Sequence, residues 1–375
     1  MNINPLKQLG EQGQSLWLDY IRKDLIHSGE LSRLISEDGI RGMTSNPAIF
    51  EKSISGSHDY DDNIEALASE GKDANEIYET LSQRDVQDAA DAFLPLYQMT
   101  SGRDGYVSLE VNPHLAHDTT GTFLEARRLW DAVARPNLLI KVPATVEGLP
   151  AIQQLIGEGI NVNVTLIFGL PRYRQVAEAF IGGIEARMTQ GKTVKQVASV
   201  ASFFISRIDT LVDQLLEVII KRGGEDAKLA HEVRGQIAIA CAKMAYQIYM
   251  EIFGSDRFTN LASHGALAQR LLWASTGTKN PEYRDVKYIE SLIGPNTVNT
   301  APIKTINAFR DHGVTTPSLG TDVGEAAHAL NCLPRLGIDM DQVTQQLEDE
   351  GIATFIRPFE HLMDSLDHHH VRTAR

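Results

Sequence analysis

A lysine lies inside an apolar stretch near the middle of the chain. Lys141 stands in the run NLLIKVPAT, residues 137–145, whose leucine and β-branched content is typical of a buried parallel strand. A buried ammonium group is costly, so such a lysine is either paired with a carboxylate or acts as a nucleophilic amine once it has lost its proton. The strand alone does not distinguish a paired or snorkelling lysine from a reactive one.

Polar residues on neighbouring strands follow the same alternation. Successive side chains of a strand point to opposite faces, so residues two apart share a face. In residues 106–112, Ser108 and Glu110 alternate with valine and leucine, and in residues 161–168 Asn163 and Thr165 do the same. We expect these polar side chains to face one interior together with Lys141.

Four more polar residues lie in the second half of their predicted strands, namely Asp19, Asn46, Ser202 and Ser275. Asp19 is predicted to share its face with Trp17, and Ser275 with Trp273. Taken separately, Glu110 can simply be the ion-pair partner of Lys141, and Asn163 a satisfied core amide. Together, on successive strands, these residues favour a catalytic site.

The elements that position these residues are short apolar strands alternating with longer amphipathic segments, as in successive βα units. The predicted strands are Leu16–Ile21, Gly39–Asn46, Tyr106–Asn112, Leu138–Ala144, Asn161–Phe168, Val197–Phe204, Leu271–Thr276 and Val298–Pro302. Eight such units predict a closed (β/α)8 TIM barrel, whose active sites lie at the carboxyl ends of the strands. The first strand is ambiguous, because its apolar residues and those before it also fit one helical face.

Length and composition agree with one large globular unit. The chain has 375 residues, of which 42% are hydrophobic and 22% charged. We expect a single barrel domain over residues 1–375, with helical insertions at about 59–99 and 211–267 and a helical C-terminal extension at about 322–375. No linker rich in proline, glycine and serine marks a further domain.

Charge and cysteine content limit the partners. A net charge of −14 argues against nucleic acid or an anionic membrane, although a phosphate site needs only a few local donors. The only two cysteines, Cys241 and Cys332, are far apart, which favours a reducing compartment. No apolar stretch has the length of a membrane span or the form of a signal segment, so we expect a cytoplasmic protein.

Six motifs around these residues are similar, in order and spacing, to those of the transaldolase family. They are LWLDYI, GMTSNPAIFEK, VSLEVNP, LLIKVPATVEGLPAI, GINVNVTLIF and ASFFISRID. The resemblance covers nearly the whole chain. It implies a class I Schiff-base transferase of the non-oxidative pentose phosphate pathway, with sugar phosphates as substrates, no metal or organic cofactor, and a monomeric or homodimeric state.

The resemblance also implies a role for each residue. Lys141 would attack the carbonyl of a ketose phosphate and form an imine, and Asp19 would take the proton from the C4 hydroxyl. Glu110 would move protons through a water molecule held by Thr165. The hydrogen-bond partners of the substrate would be Asn46, Asn163 and Ser202.

Phosphate binding is where this chain departs from the family pattern. Arg207 matches the family's arginine after the sixth strand, with a surface ion pair to Asp209 as the alternative. After the seventh strand the family pattern has a second arginine, whereas residues 273–281 read WASTGTKNP. We predict Ser275 and Lys279 as phosphate contacts, ahead of a helix that Pro281 would start. The alternative is an ordinary capped helix start.

Other functions stay open from the sequence. His114, His117 and Asp118 follow the third strand close to Glu110, so a metal site is the main rival to Schiff-base chemistry. An aldolase on the same scaffold would release free dihydroxyacetone from fructose 6-phosphate. A catalytically inactive barrel would only bind sugar phosphates.

Overall fold

The computed structural model describes residues 4–373, with side chains described as far as Asp367. Eight parallel strands form a closed barrel in which each strand pairs with its sequence neighbours and the eighth pairs with the first. The strands are β1 (Gln14–Asp19), β2 (Gly42–Thr44), β3 (Tyr106–Glu110), β4 (Leu138–Pro143), β5 (Val162–Ile167), β6 (Ser199–Phe204), β7 (Arg270–Ala274) and β8 (Thr297–Ala301). The predicted (β/α)8 barrel is therefore confirmed.

Helices surround the barrel and fill the predicted insertions. They are α1 (Pro5–Glu11), α2 (Lys23–His27), α3 (Glu30–Glu37), α4 (Pro47–Ile54), α5 (Asp61–Ser69), α6 (Ala74–Met99), α7 (Thr119–Val133), α8 (Gly148–Glu158), α9 (Leu170–Thr189), α10 (Ser206–Arg222), α11 (Glu225–Val233), α12 (Ile237–Phe253), α13 (Asp256–Ser263), α14 (Lys287–Glu290), α15 (Ile303–His312), α16 (Val323–Cys332) and α17 (Met340–Thr373). Among the described residues, none of these helices has the length and apolarity needed to cross a membrane. The division of the chain into a single domain stays a prediction.

The first two strands differ from their predicted bounds. Leu6 and Leu9 belong to α1, whereas Leu16 lies in β1, so the helical alternative holds only for the residues before the strand. β2 has three residues, and Asn46 lies beyond its end. There the Asn46 Oδ1 accepts a hydrogen bond of 2.9 Å from the amide of Ile49 and caps α4.

The lower half of the barrel interior is filled by a large side chain. Trp17 is fully buried and lies against Gly42 on the neighbouring strand. A Cβ added to Gly42 would lie 2.6 Å from the Trp17 ring, which is closer than side chains approach one another. Nearer the carboxyl ends, the register aligns Asp19 with Thr44 and Lys141 with both Glu110 and Asn163.

One prediction from strand alternation is wrong. The register pairs Ser202 with Leu272, so Leu272 shares the interior face and Trp273 points towards the helices, with its ring 6.4 Å from that of Phe203. Ser275 therefore does not share a face with Trp273. It reaches the mouth of the barrel because β7 has ended and its own φ of 56° breaks the alternation.

α17 lies across the carboxyl end of the barrel, in contact with α4, α5, α6 and α10. Gly351 allows a close approach, since a Cβ there would lie 2.9 Å from Leu166 Cδ2 on β5. Glu348 forms an ion pair of 3.3 Å with Arg172 near the start of α9. The long final helix is thus fixed over the mouth of the barrel.

Candidate active site

A cavity of about 160 Å³ lies at the carboxyl ends of the strands. Eight of the ten predicted site residues line it, namely Asp19, Asn46, Lys141, Thr165, Ser202, Arg207, Ser275 and Lys279. The other lining residues are Thr44, Phe204, Ala274, Gly277, Thr300, Pro302 and Phe355. The two remaining predicted residues, Glu110 and Asn163, lie directly behind this lining. The structure therefore brings the whole predicted set to one place.

Lys141 is held by two acceptors inside the barrel. Its side chain is 5% exposed, and Nζ donates hydrogen bonds of 3.0 Å to Glu110 Oε2 and of 3.0 Å to the carbonyl oxygen of Ser45. The ion pair expected for a paired lysine is thus formed. It does not exclude reactivity, because Lys141 also lines the cavity and Glu110 is placed to accept its proton.

Only one of the two carboxylate oxygens of Glu110 is hydrogen-bonded among the described residues. Burial raises the pKa of Glu110 above its ordinary range, the ion pair with Lys141 opposes that shift, and the charge of Asp19 adds to it. Glu110 Oε1 and Thr165 Oγ1 are both buried and have no hydrogen-bond partner among the described residues. Water can satisfy buried oxygens of this kind, and the water-mediated role of the two residues stays a prediction.

Asp19 lies on the other side of the cavity within a row of hydroxyl groups. Its Oδ1 accepts a hydrogen bond of 2.7 Å from Thr44 Oγ1, which is itself 2.7 Å from Thr300 Oγ1. Burial raises the pKa of Asp19, while the charges of Lys141 and Lys279 and the Thr44 hydroxyl oppose the shift. A carboxyl group with such a pKa can take up and return a proton more readily than an exposed one at neutral pH.

Asn163 lies one layer below the cavity. Its Oδ1 accepts a hydrogen bond of 2.6 Å from Ser202 Oγ, and its Nδ2 donates one of 3.0 Å to Ser108 Oγ. These contacts fit the alternative in which Asn163 is a core amide with its hydrogen bonds satisfied. The role of Asn163 in binding substrate stays a prediction. Ser202, which does line the cavity, gives its hydroxyl hydrogen to Asn163 and so offers a ligand its oxygen as an acceptor.

Arg207 supplies a cation at the cavity wall. Its guanidinium lies 5.8 Å from the centre of the Phe204 ring, and burial lowers its pKa. Within the described part of the chain no carboxylate lies within 4.0 Å of it. The alternative ion pair with Asp209 is not formed, because Asp209 accepts hydrogen bonds from the Tyr288 hydroxyl at 2.8 Å and the Ala238 amide at 2.7 Å.

The loop after β7 completes the wall without a helix start. Ser275 Oγ lies 3.0 Å from Ser206 Oγ, and Lys279 is exposed at the cavity rim. The predicted helix at Pro281 is wrong. The Asn280 side chain and carbonyl instead close a turn by accepting the amides of Glu282 and Tyr283, and α14 begins only at Lys287. This loop therefore offers an anion the side chains of Ser275 and Lys279 and no helix start of its own.

The residues of the rival metal site face different partners. His114 lies 3.6 Å from Glu360, and His117 lies 3.2 Å from Glu147. Asp118 caps α7 by accepting the Gly121 amide. The described residues contain no group of three or more histidine, cysteine, aspartate or glutamate side chains arranged to share a metal ion. The donor geometry therefore gives the metal interpretation no support.

Sequence reasoning missed one aromatic residue of the site. Phe355 on α17 is 4% exposed, and its ring centre lies 5.5 Å from Lys141 Nζ. The spacing of Ile352, Phe355, Phe359 and Leu362 does indicate a buried helix face. It does not indicate which surface that face covers, so the contact was not predictable from the pattern.

Comparisons with known proteins give a consistent result. A family model described as Transaldolase/Fructose-6-phosphate aldolase matches residues 16–366. A protein of Trichodesmium erythraeum named Transaldolase is 49% identical over 372 residues, covering 98% of each chain. One of Nostoc punctiforme named Transaldolase 2 is 48% identical, again over 98% of each chain, and a Transaldolase of Thiobacillus denitrificans is 46% identical over 96% of this chain and 99% of its own.

Proposed function

The chain belongs to the transaldolase/fructose-6-phosphate aldolase family, and from this premise we propose how its barrel carries out a transaldolase reaction. The enzyme is a transferase that moves a dihydroxyacetone unit from a ketose phosphate to an aldose phosphate. The donors are sedoheptulose 7-phosphate and fructose 6-phosphate, and the acceptors are glyceraldehyde 3-phosphate and erythrose 4-phosphate. The observation that carries this proposal is a buried lysine that lines the cavity while a carboxylate lies 3.0 Å from its amine.

The first step is formation of the imine. Glu110 accepts a proton from Lys141 across their 3.0 Å contact, and the neutral amine adds to the carbonyl carbon of the donor. Loss of water from the carbinolamine then requires an acid. Protonated Glu110 is suited to supply that proton, because burial raises its pKa, and a water between Glu110 Oε1 and Thr165 Oγ1 can relay it.

The second step breaks the carbon–carbon bond. Asp19 takes the proton of the C4 hydroxyl, the C3–C4 electron pair moves towards the iminium nitrogen, and the aldose phosphate leaves. What stays on Lys141 is a dihydroxyacetone enamine. Attack of its nucleophilic carbon on the acceptor aldehyde forms the new bond, and Asp19 returns its proton to the resulting alkoxide. Hydrolysis of the imine releases the product ketose phosphate.

Substrate binding is assigned to the polar side chains around Lys141. Asn46 keeps its amide nitrogen for a substrate hydroxyl, since its oxygen caps α4. Ser202 presents a hydroxyl oriented by Asn163. We assign the phosphate group to Arg207, Ser275 and Lys279, which line the same cavity and place two cations beside two hydroxyls, those of Ser275 and Ser206.

Transfer is distinguished from simple aldol cleavage by its need for an acceptor. With fructose 6-phosphate alone, we expect turnover to stop after one equivalent of glyceraldehyde 3-phosphate per active site, and erythrose 4-phosphate to restore continuous turnover. The measurement is a coupled assay for glyceraldehyde 3-phosphate, with free dihydroxyacetone followed in parallel. Continuous release of dihydroxyacetone without an acceptor would make the enzyme an aldolase instead.

The phosphate assignment predicts a binding defect for Lys279→Ala. Because Lys279 is exposed at the rim, its loss should raise the KM for fructose 6-phosphate about tenfold and, at a pH at which Asp19 is ionised, change kcat by less than about twofold. Lys304→Ala is the matched control, since it removes an exposed lysine near the start of α15 that does not line the cavity. An unchanged KM in Lys279→Ala removes this residue from the site.

The cellular location and the oligomeric state of the enzyme are also proposed. The two distant cysteines and the acidic composition support a cytoplasmic enzyme. The same charge supports a protein without nucleic-acid or membrane partners. We propose a monomer or a homodimer on the family resemblance alone.

A further inference from the structure

The aromatic ring of Phe355 lies next to the nitrogen on which the proposed chemistry takes place. The ring centre is 5.5 Å from Lys141 Nζ, within the distance of about 6 Å at which an aromatic face attracts a cation. We propose that Phe355 stabilises the iminium cation formed on Lys141, so that α17 contributes to catalysis as well as covering the barrel. This inference rests on the proposed Schiff-base function.

The position of the ring is fixed by neighbouring contacts of α17. Gly351, one helical turn before Phe355, lies on the same face of the helix and approaches Leu166 at the end of β5. Glu348, in the preceding turn, is held by Arg172, and the two side chains are 7% and 15% exposed. A helix secured in this way at two successive turns keeps Phe355 over Lys141 without help from the substrate.

The reaction itself creates a need for such a contact. A lysine ammonium group has three donor hydrogens, and here they serve Glu110 and the carbonyl of Ser45. A protonated imine on the same nitrogen has only one N–H, so at least one of these two hydrogen bonds is lost when the imine forms. The attraction of a ring face does not depend on a hydrogen being aimed at it, so the contact with Phe355 persists.

The test distinguishes an effect of the aromatic ring from an effect of side-chain volume. Phe355→Leu keeps an apolar side chain and removes the ring, whereas Phe355→Tyr keeps the ring. The matched control is Phe359→Leu, one turn further along α17, where the 6% exposed ring packs on Tyr78 at 5.5 Å and on His114 at 6.0 Å. Each variant is mixed with fructose 6-phosphate without acceptor, quenched with borohydride, and analysed by intact mass for the ratio of reduced adduct to free enzyme.

We expect Phe355→Leu to lower the adduct ratio about twofold to thirtyfold, the range that ring–cation contacts span from exposed to desolvated sites. Phe359→Leu should keep the ratio of the wild-type enzyme, and Phe355→Tyr should recover most of the adduct that Phe355→Leu loses. If Phe355→Leu fails to fold, as judged by circular dichroism, Phe355→Met takes its place, because methionine fills a similar volume without a ring.

Two results would overturn this inference, and a third would overturn the proposed function. An unchanged ratio in the ring-deleted variant overturns the inference, and so does an equal loss in Phe359→Leu, which would make the effect one of helix packing. Absence of any adduct on wild-type Lys141 would instead overturn the proposed function. The two failures are therefore told apart by the wild-type sample.

Discussion

Lys141→Met should remove the borohydride-reducible adduct completely and lower kcat/KM by at least about 10⁴-fold, the scale seen when a covalent nucleophile is lost. Methionine has nearly the length of lysine and fills its place between the strands, so the change removes the amine with little loss of volume. Adduct formation is measured by peptide mass mapping after reduction in fructose 6-phosphate. A three-carbon adduct on any other residue would contradict the assignment.

The same substitution also perturbs stability, and this effect needs its own control. Without Lys141, Glu110 is a buried carboxyl group that has lost its opposing charge, so its pKa rises further. The variant should accordingly lose stability as the pH rises from acidic to neutral, since ionised Glu110 then has no partner. Lys141→Met/Glu110→Gln should recover that stability in thermal unfolding but not the activity, which separates the two effects.

Asp19→Asn should stop the reaction at a different point. The imine still forms, because Lys141 and Glu110 are intact, but proton removal from the C4 hydroxyl fails. We expect kcat to fall about 10²- to 10⁴-fold, the usual contribution of a general base. The reduced adduct should then have the mass of the whole six-carbon donor phosphate instead of a three-carbon unit. A three-carbon adduct formed at the wild-type rate would show that another group takes the proton.

The raised pKa of Asp19 gives this prediction a pH dependence. In its proposed role Asp19 acts as a base only when ionised, so the acid limb of the wild-type activity should lie above the ordinary aspartate value of 3.8. In the folded protein the carboxyl group binds its proton more tightly than in the unfolded chain, so Asp19 destabilises the fold increasingly as the pH rises through that window. Asp19→Asn should therefore raise the melting temperature at neutral pH and leave it unchanged below about pH 3.8.

Strand alternation predicted which residues lie around Lys141, because the face on which a side chain lies depends only on its own strand. In a strand of fixed period two, the residue types around Glu110, Lys141 and Asn163 specify their common face. Pairing of adjacent parallel strands then brings them together, as the observed register shows. No long-range information is needed for this step beyond the order of the strands.

The rest of the cavity depends on features that residue types do not reveal. Ser275 enters the site through a left-handed backbone conformation that is uncommon outside glycine, so alternation was wrong to place Trp273 on the same face as Ser275. Turn formation at Asn280 prevailed over the helix expected from Pro281. Phe355 comes from a helix more than 200 residues beyond Lys141, and no periodicity states which end of a barrel a distant helix will cover.

The position of α17 in the chain has a consequence for how the enzyme is made. All eight strands precede this 34-residue helix, so a growing polypeptide contains every strand of the barrel before Phe355 has been synthesised. At about 5–20 residues per second, the ribosome needs a further few seconds to add the helix. A barrel that closed during that interval would present Lys141 and Glu110 beneath an uncovered mouth. Translation of the final helix is then the event that completes the catalytic chamber.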